Sequence, residues 1–533
     1  MYDVHTRPAM VLDGSSLTIR EIAGAARSAA PVRVGLDPVS VVRMEDSVRV
    51  LEKRLAEGVP VYGVTTGFGD SSHRRIAVED AAELQRNLIR YHLNGVGPLA
   101  CRDVVRATML IRANSLARGD SAIRPEVVDL LLGMVLHDVV PRVPERGSLG
   151  ASGDLVPLCY IAAALMGEGD VDYRGSTWSA VDALIDAGLN PIALEAKEGL
   201  ALINGTSFAA AFAALAVADA EELAFAADLV TAMASEAILG NRAHFDEFLF
   251  AAKPHRGSIQ SAELIRRILS DSRLARSQDD VTSARCTAGE QNCSGGERVQ
   301  DNYSIRCAPH VTGVLWDTLE WASRWVAVEV NSSTDNPLFD SRAGTVHHGG
   351  NFYAGHVGQA MDSLKIAAAN VADLLDRQLA LVVDPRFSRG LPANLVGAEA
   401  GRGVHHGFKG MQIACSAVTA EALKEAGPAG IFSRSSESHN QDKVSMGTIA
   451  ARGARTVLEL TAQVAAIHLL AVAQALELRG LERVSSVSRR VHGVVRECAR
   501  FVSGDRRQDG DIESVAQLLL SGRLRAVVAE TSK

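Results

Sequence analysis

The sequence predicts a mainly α-helical protein in which a long central helical bundle follows a mixed, loop-rich N-terminal region. Apolar residues recur at spacings of three and four along three unusually long runs, which indicates helices with one buried face. These runs lack the sustained charge pattern of a coiled coil, so a packed bundle is favoured. Of the 533 residues, 47% are hydrophobic and 22% are charged, which is typical of a soluble protein with a large core.

Shifts in composition divide the chain into three predicted parts. Residues 1–200 are richer in glycine and proline and carry several loop-like clusters. Residues 201–480 contain the central bundle, and residues 481–533 form a shorter, more charged C-terminal helical region. The predicted long helices are Ser207–Leu239, Asp362–Val383 before Pro385, and Thr456–Arg479 before Gly480.

Charge and cysteine usage exclude several classes of protein. The net charge of −8 argues against a nucleic-acid-binding surface, which needs a basic face. No stretch reaches the uncharged length of a membrane span and the first residues lack a signal-peptide core, so we expect a cytoplasmic protein without a membrane partner. The seven cysteines form no C-x-x-C pair and are expected to be reduced thiols: Cys101, Cys159, Cys286, Cys293, Cys307, Cys415 and Cys498.

Metal chemistry is not expected either. Two pairs of adjacent histidines, His347-His348 and His405-His406, suggest metal binding at first sight. Neighbouring residues on a strand or helix do not face one ligand, however, and no H-E-x-x-H motif is present.

The segment from Gly147 to Leu155, Gly-Ser-Leu-Gly-Ala-Ser-Gly-Asp-Leu, permits unusual chemistry. It matches neither a nucleophile elbow nor a P-loop, and by composition alone it is a tight glycine-rich turn. Because Gly153 has no side chain, its amide nitrogen can approach the carbonyl carbon of Ala151 closely. Ring closure with loss of water, followed by dehydration of Ser152, would leave a methylene conjugated to a carbonyl. That group is a strong electrophile that needs no external cofactor.

Seven short motifs occur along the chain in the order known from one protein family, and together they indicate a resemblance that none of them indicates alone. The sequence resembles the histidine, phenylalanine and tyrosine ammonia-lyase and aminomutase family over nearly its whole length. The motifs are Tyr62-Gly-Val-Thr-Thr-Gly-Phe-Gly69, Gly147 to Leu155, Gly199-Leu-Ala-Leu-Ile-Asn-Gly-Thr206, Gln300-Asp-Asn-Tyr-Ser-Ile-Arg306, Asn331-Ser-Ser-Thr-Asp-Asn-Pro337, Gly350-Asn-Phe352 and Asn440-Gln-Asp442.

The resemblance implies a prosthetic group, 4-methylideneimidazol-5-one (MIO), formed autocatalytically from Ala151-Ser152-Gly153, with no metal and no pyridoxal phosphate. It also implies a homotetramer whose sites combine residues from three chains. The catalytic residues it implies are Tyr62, Ala151, Ser152, Gly153, Asn204, Tyr303 and Arg306. In this assignment Tyr62 is the base, Asn204 contacts the ring, and Arg306 binds the substrate carboxylate through its planar fork. Arg306 and Tyr303 resemble residues that a neighbouring subunit supplies.

The substrate-binding residues implied by the resemblance are His92, Leu93, Gln300, Phe352 and Gln441. Gln441 stands where histidine ammonia-lyases carry a glutamate, and a neutral amide argues against an imidazole substrate. His92 followed by Leu93 resembles tyrosine-specific relatives. A histidine can pair with a para-hydroxyl group, whose burial without a partner costs about 1–3 kcal/mol. We therefore expect an aromatic amino acid as substrate, with tyrosine favoured over phenylalanine.

Several alternatives stay open from the sequence. The enzyme could be a histidine ammonia-lyase that forms urocanate, or an aminomutase that returns the amine to the β-carbon. A satisfied core histidine at position 92 would restore phenylalanine as the first substrate. A non-catalytic helical relative is disfavoured by the intact site residues, and the fumarase and aspartase group is disfavoured because its glycine-serine-serine loop is missing.

Overall fold

The computed structural model describes residues 10–282, 299–397 and 403–531. The protein is mainly α-helical, as predicted. The α-helices of these ranges are α1 (Ile19–Arg27), α2 (Pro38–Ala56), α3 (Ala81–Tyr91), α4 (Arg102–Ala117), α5 (Pro125–His137), α6 (Leu155–Leu165), α7 (Ala180–Asp186), α8 (Glu198–Ile203), α9 (Ser207–Ala237), α10 (Glu247–Ala252), α11 (Arg256–Ile268), α12 (Gln278–Thr282), α13 (Tyr303–Arg306), α14 (Ala308–Glu329), α15 (Gly355–Val383), α16 (Lys409–Glu425), α17 (Gly447–Arg479), α18 (Ser486–Cys498), α19 (Asp509–Leu520) and α20 (Arg523–Thr531).

The strands of the described ranges are short and pair in small sheets. They are β1 (Met10–Leu12), β2 (Val34–Leu36), β3 (Val96–Leu99), β4 (Val140–Pro141), β5 (Pro144–Arg146), β6 (Asp170–Tyr173), β7 (Ser176–Ser179), β8 (Leu338–Asp340) and β9 (Thr345–His347). β1 and β2 are parallel, whereas the β3–β5, β4–β6–β7 and β8–β9 pairings are antiparallel.

The chain forms two compact units, each assembled from separated segments. The first unit comprises Met1–Ala218, Ala322–Asp362 and Pro428–Arg452. The second comprises Asp219–Trp321, Ser363–Gly427 and Gly453–Lys533. Each unit is defined by contacts between its segments and not by a continuous stretch of chain. The three-part division at residues 200 and 480 therefore stays a prediction.

The first unit contains all the described strands and is built around α4. Nearly every residue of α4 is buried, including the charged Arg106 and Arg112. The helix packs against α1 and α5. A helix buried on all sides must satisfy its polar groups internally. Arg106 accordingly donates to the Ser28 carbonyl at 2.8 Å, and Asn114 donates to the Val330 carbonyl at 2.8 Å.

The second unit is helical throughout its described residues, and a buried polar network joins three of its helices. Gln378 on α15 donates to Thr231 Oγ1 on α9 at 2.9 Å, and the Gln378 Oε1 atom lies 3.1 Å from His468 Nε2 on α17. Burial lowers the pKa of His468 to about 3, so its imidazole is neutral at pH 7.

The ends of the long helices agree closely with the sequence. The predicted Asp362–Val383 and Thr456–Arg479 helices lie within α15 and α17 and end at the expected residues, before Asp384-Pro385 and before Gly480. Gly480 has a φ of +94°, a conformation that favours glycine just past a helix end. The predicted Ser207–Leu239 helix ends two residues earlier, because Leu239 turns to a φ of +55°.

Helix α17 departs from the expectation that no stretch of the chain is long and apolar enough to span a membrane. By length and composition alone, α17 is long and apolar enough to cross a membrane, although the sequence analysis expected no such stretch. Of its apolar window, 78% is buried inside the structure, which is also typical of a core helix. The five described cysteines form no disulfide bonds with one another, and Cys286 and Cys293 lie outside the described residues.

Candidate active site

A cavity of about 990 Å³ in the first unit brings together most of the residues singled out from the sequence. Its lining includes Tyr62, His92, Ala151, Ser152, Asn204, Phe352 and Gln441. These residues come from loops and helix ends that are distant in the chain, which is common for ligand sites.

The Ala151-Ser152-Gly153 turn lies against the segment that joins α8 and α9. Gly153 has a φ of +74°, which favours glycine, and a Cβ atom there would collide with the Gly205 carbonyl oxygen. Gly153 and Gly205 pair as an isolated parallel bridge, and the Asp154 amide donates to the Gly205 carbonyl at 2.7 Å. The sequence predicts a glycine at position 153 so that its nitrogen can approach the Ala151 carbonyl carbon. In the structure, packing against Gly205 also requires a glycine at this position.

Two amide side chains hold Ser152. Asn204 Nδ2 donates to the Ser152 carbonyl oxygen at 2.8 Å, and Gln441 Nε2 donates to the Ser152 hydroxyl at 3.0 Å. The amide of Gln441 is itself held, because Ser436 donates to its Oε1 atom at 3.0 Å. The Asn204 Oδ1 atom is buried without a hydrogen-bond partner. A buried acceptor with no donor is unfavourable, so this atom is available to a group that enters the site.

Asp154 anchors the C-terminal end of the turn. Its carboxylate accepts hydrogen bonds from the Ala209 amide at 2.8 Å, from Ser148 Oγ at 2.8 Å and from Thr448 Oγ1. Burial raises the pKa of Asp154, and these donors oppose the rise. The residue therefore joins the start of α6 to the first turn of α9, whose free amides favour a carboxylate.

The Tyr62 loop is fixed from three sides. The Gly69 amide donates to the Tyr62 hydroxyl at 2.8 Å, and Gln85 Nε2 on α3 donates to the Gly63 carbonyl at 2.8 Å. Glu437 accepts from the Asp70 amide at 2.7 Å and so joins the end of this loop to the Asn440-Gln-Asp segment. Tyr62 is thereby held at the cavity wall.

The surroundings of Tyr62 within the first unit favour the neutral phenol. Burial raises the pKa of Tyr62, the Gly69 amide lowers it, and the negative charge of Glu437 raises it further. A base at Tyr62, as predicted from the sequence, requires an environment that favours the phenolate. Of the three influences on the pKa of Tyr62, only the hydrogen bond from the Gly69 amide favours the phenolate.

The imidazole of His92 is oriented by the backbone of its own helix. His92 caps the C-terminal end of α3, and its Nδ1 atom lies 2.9 Å from the Leu88 carbonyl oxygen. A carbonyl oxygen only accepts hydrogen bonds, so Nδ1 carries the proton. Burial lowers the pKa of His92, which keeps the ring neutral at pH 7. The Nε2 atom of the neutral ring is therefore an acceptor at the cavity wall.

The cavity also has lining residues outside the predicted set, and two of them lie close to Tyr62 or its loop. His348, which was set aside as part of a histidine pair, lies edge-on to Tyr62 with ring centroids 6.4 Å apart. Glu437 lines the same cavity. The available signals were the position of His348 directly before Gly349-Gly-Asn-Phe352 and that of Glu437 three residues before Asn440.

Five predicted site residues are not among those that line this cavity, and one of them, Gly153, directly follows the lining residue Ser152. Leu93 follows His92 but lies outside the lining. Gln300, Tyr303 and Arg306 belong to the second unit. There, Tyr303 is 72% exposed, the Arg306 guanidinium lies 4.5 Å from its ring centroid, and the Arg306 Nε atom is buried without a partner.

Within the described ranges, no group of three or more histidine, cysteine, aspartate or glutamate side chains is placed to hold a metal ion. A smaller cavity of about 350 Å³ in the second unit, lined mainly by residues of α17 and α19, contains none of the predicted site residues.

Comparison with known proteins gives a consistent family. The profile of the family described as aromatic amino acid lyase matches residues 17–497. The chain is 42% identical to a tyrosine ammonia-lyase of Cupriavidus metallidurans and 41% identical to a histidine ammonia-lyase of Gloeobacter violaceus, with 97–98% of each chain covered. Among solved structures, a tyrosine aminomutase from Streptomyces globisporus superimposes with a TM-score of 0.92 at 35% identity, over 98% of both chains. A phenylalanine aminomutase of Pantoea agglomerans gives 0.91 at 35% identity, over 96% of this chain and 98% of that one.

Proposed function

Because the chain belongs to the aromatic amino acid lyase family, we propose that it eliminates ammonia from an aromatic L-amino acid, tyrosine in preference to phenylalanine, and releases an aryl acrylate. The observation that carries this choice is the neutral His92 imidazole, with its Nε2 acceptor at the cavity wall. The family membership supports a carbon–nitrogen lyase or an aminomutase as the enzyme class.

The proposal requires the MIO group, and the residues around Ala151-Ser152-Gly153 fit it. Gly153 packs where no side chain is tolerated, and Asn204 already donates to the carbonyl oxygen that the ring would keep. The finished ring carries no N–H or O–H group, so the unpaired Oδ1 atom of Asn204 is left as an acceptor for a donor of the substrate. When formed, the group supplies a neutral electrophile that captures the substrate amine.

Removal of the β-proton falls to Tyr62 in this proposal. The β-hydrogen of an amino acid is weakly acidic, so the base must be strong and correctly placed. The hydroxyl of Tyr62 is held at the cavity wall by the Gly69 amide at 2.8 Å. Because burial raises the Tyr62 pKa, the base form is favoured only as the pH rises or as positive charge arrives, for example with the substrate ammonium group.

The para-hydroxyl of tyrosine finds an acceptor in His92. Its O–H group can donate to the neutral Nε2 atom, whose acceptor role is set by the Nδ1 contact with the Leu88 carbonyl. A substrate ring without a hydroxyl leaves this polar atom unpaired, which costs about 1–3 kcal/mol. This difference favours tyrosine over phenylalanine.

Histidine is the second candidate substrate, and the 41% identical relative named a histidine ammonia-lyase favours it. Gln441 opposes it. The side chain of Gln441 is neutral, and its Oε1 atom already accepts a hydrogen bond from Ser436. An imidazole substrate would gain more from a carboxylate at this place.

An aminomutase is the second candidate activity, favoured by the similarity to the tyrosine aminomutase structure. Both activities share capture of the amine and removal of the β-proton. They differ in whether the acrylate leaves or stays long enough for the amine to add at the β-carbon.

We further propose a homotetramer in which Tyr303, Arg306 and Gln300 of one subunit complete the cavity of another. Tyr303 is largely exposed, and Arg306 keeps a buried nitrogen without a partner in the single chain. A guanidinium fork is suited to the substrate carboxylate. Symmetric assembly would repeat this contribution at every site.

The test is incubation with tyrosine, phenylalanine and histidine, followed by chromatography that separates acrylates from α- and β-amino acids. We expect the acrylate of tyrosine as the main product and no turnover by the Ser152→Ala variant. Urocanate as the main product would overturn the substrate, and a β-amino acid would decide for the aminomutase. Full turnover by Ser152→Ala would refute the mechanism.

A further inference from the structure

Gly205 is packed between the reactive turn and a buried arginine. On one side it pairs with Gly153, whose missing Cβ leaves room for the Gly205 carbonyl oxygen. On the other side, a Cβ on Gly205 would collide with the Arg112 guanidinium and with Thr334 Oγ1. Gly205 therefore has little freedom to move away from Gly153, because the space behind it is filled.

Directed hydrogen bonds fix the Arg112 guanidinium in this place. The side chain is 1% exposed and comes from the buried helix α4. It donates to the Ala201 carbonyl of α8 and, at 3.3 Å, to Thr334 Oγ1. The neighbouring Asp335 is held in turn by an ion pair with Lys197, 2.5 Å long and fully buried.

Arg112 stays charged despite its burial. Burial lowers the pKa of Arg112 to about 10, against the opposing effect of the Asp335 and Asp154 carboxylates, so the group is protonated at pH 7. Burying a charged group is costly, and an apolar side chain of similar volume would avoid the cost. What the guanidinium adds at this position is a rigid set of donors around Gly205.

We propose that Arg112 is a positioning residue for formation of the prosthetic ring, because it braces the Gly205 backbone against Gly153. Ring closure forms a bond between the Gly153 nitrogen and the Ala151 carbonyl carbon. The Ala151 oxygen leaves as water with the protons of the Gly153 and Ser152 amides. Ser152 then loses its hydroxyl and its α-hydrogen as a second water.

The rate of the first step depends on how closely that nitrogen and carbon are held together. A wall that prevents Gly205 from retreating keeps the turn compact, and so favours closure. This inference rests on the proposed function, since that function requires the ring, and it concerns a residue that does not line the cavity.

The test is the intact mass of freshly produced full-length protein, followed over time. The mature chain is lighter than the sequence by the mass of two water molecules. We expect Arg112→Lys to dehydrate on the order of tenfold more slowly or worse, because lysine keeps the charge but loses the fork of donors. Circular dichroism and thermal melting verify that the variant is folded.

Arg106→Lys is the matched control. Arg106 is equally buried on the same helix, but its guanidinium bonds to the Ser28 carbonyl and pairs with Asp138, away from the turn. We expect Arg106→Lys to dehydrate at the wild-type rate even if it melts earlier. Equal slowing by both variants would show a general effect on folding and would overturn the inference.

A second variant covers the case in which Arg112→Lys does not fold. Thr334→Val removes an acceptor of Arg112 and of the Thr206 amide next to Gly205, and we expect slower dehydration in the folded protein. If the folded Arg112→Lys variant dehydrates at the wild-type rate, the role of Arg112 is overturned and the proposed function is not. If Arg112→Lys does not fold, the same result for Thr334→Val has the same meaning. A dehydrated wild type that releases no ammonia overturns the proposed function and leaves this inference standing. A wild type with unmodified mass overturns both.

Discussion

A hydrogen bond between His92 and the backbone of α3 orients the imidazole at the cavity wall. With Nδ1 engaged by the Leu88 carbonyl at 2.9 Å, Nε2 is the nitrogen that can accept a hydrogen bond from a group in the cavity. The ring of Tyr91 lies 4.2 Å from that of His92, centroid to centroid, and restricts its movement. The site thus presents one oriented acceptor to the substrate ring.

Replacing His92 with phenylalanine should reverse the preference between the two aromatic substrates. We expect the ratio of kcat/KM for tyrosine to that for phenylalanine to fall by about tenfold or more in His92→Phe, since the buried hydroxyl loses its acceptor. Steady-state kinetics on both substrates measure the ratio. An equal loss for both substrates would mean that His92 acts through packing and not through its acceptor.

Two loops meet at the cavity, and Glu437 joins them. Its carboxylate accepts from the Asp70 amide at 2.7 Å and from Asn440 Nδ2 at 2.9 Å, which ties the end of the Tyr62 loop to the Asn440-Gln-Asp segment. Gly69 allows this contact, because a Cβ there would collide with the Glu437 carboxylate. The same charge raises the pKa of Tyr62.

Neutralising Glu437 should therefore shift the pH dependence of the reaction. A base with a raised pKa gains its active form as the pH rises through that pKa, so kcat/KM should increase with pH in the alkaline range. Glu437→Gln removes the charge but keeps an acceptor for the Asp70 amide. We expect the alkaline limb of the pH profile to move to lower pH.

The matched control for Glu437 is Asp442→Asn. Asp442 also lines the cavity, but it is not among the causes of the Tyr62 pKa shift. Its variant should leave the alkaline limb in place. A limb that stays in place in Glu437→Gln, or moves equally in both variants, would contradict the role given to Glu437.

The proposed homotetramer would complete the cavity of one chain with residues of another. Tyr62 and Ser152 lie in the first unit, whereas Tyr303 and Arg306 lie in the second, where Tyr303 is exposed. If a site takes Arg306 from a neighbouring subunit, mixing two inactive variants can restore activity. Two chains with different defects can rebuild an intact site between them.

Co-expression of Tyr62→Phe with Arg306→Ala tests this exchange. Each variant alone should be nearly inactive, since one lacks the base and the other the carboxylate fork. In random mixed oligomers, about a quarter of the sites should combine an intact Tyr62 with an intact Arg306 from another chain. The turnover of purified mixed oligomers measures this fraction.

The control for complementation is the mixture of Tyr62→Phe with Ser152→Ala. Both of these residues line the same cavity of one chain, so no pairing of these subunits rebuilds a site. That mixture should stay inactive. An inactive Tyr62→Phe and Arg306→Ala mixture, with oligomers verified by native mass, would argue that each chain uses its own Arg306.

Local sequence was sufficient for the helices, and most of the site residues that the sequence predicts line one cavity. The apolar spacing and the terminators at Pro385 and Gly480 predicted the ends of α15 and α17, because those ends depend on nearby residues alone. The order of seven motifs predicted one site that includes Tyr62, Ser152 and Asn204, and all three line the cavity of the first unit.

Tertiary structure decided what each of these groups can do. The neutral state of His92 and its free Nε2 follow from a backbone carbonyl and from burial. The raised pKa of Tyr62 follows from burial and from Glu437, which lies 375 positions away along the chain in the sequence. Arg112 behind Gly205 carries no signal in the motifs at all. Such roles depend on distances across the fold and on exclusion of water, which a linear pattern of residues does not contain.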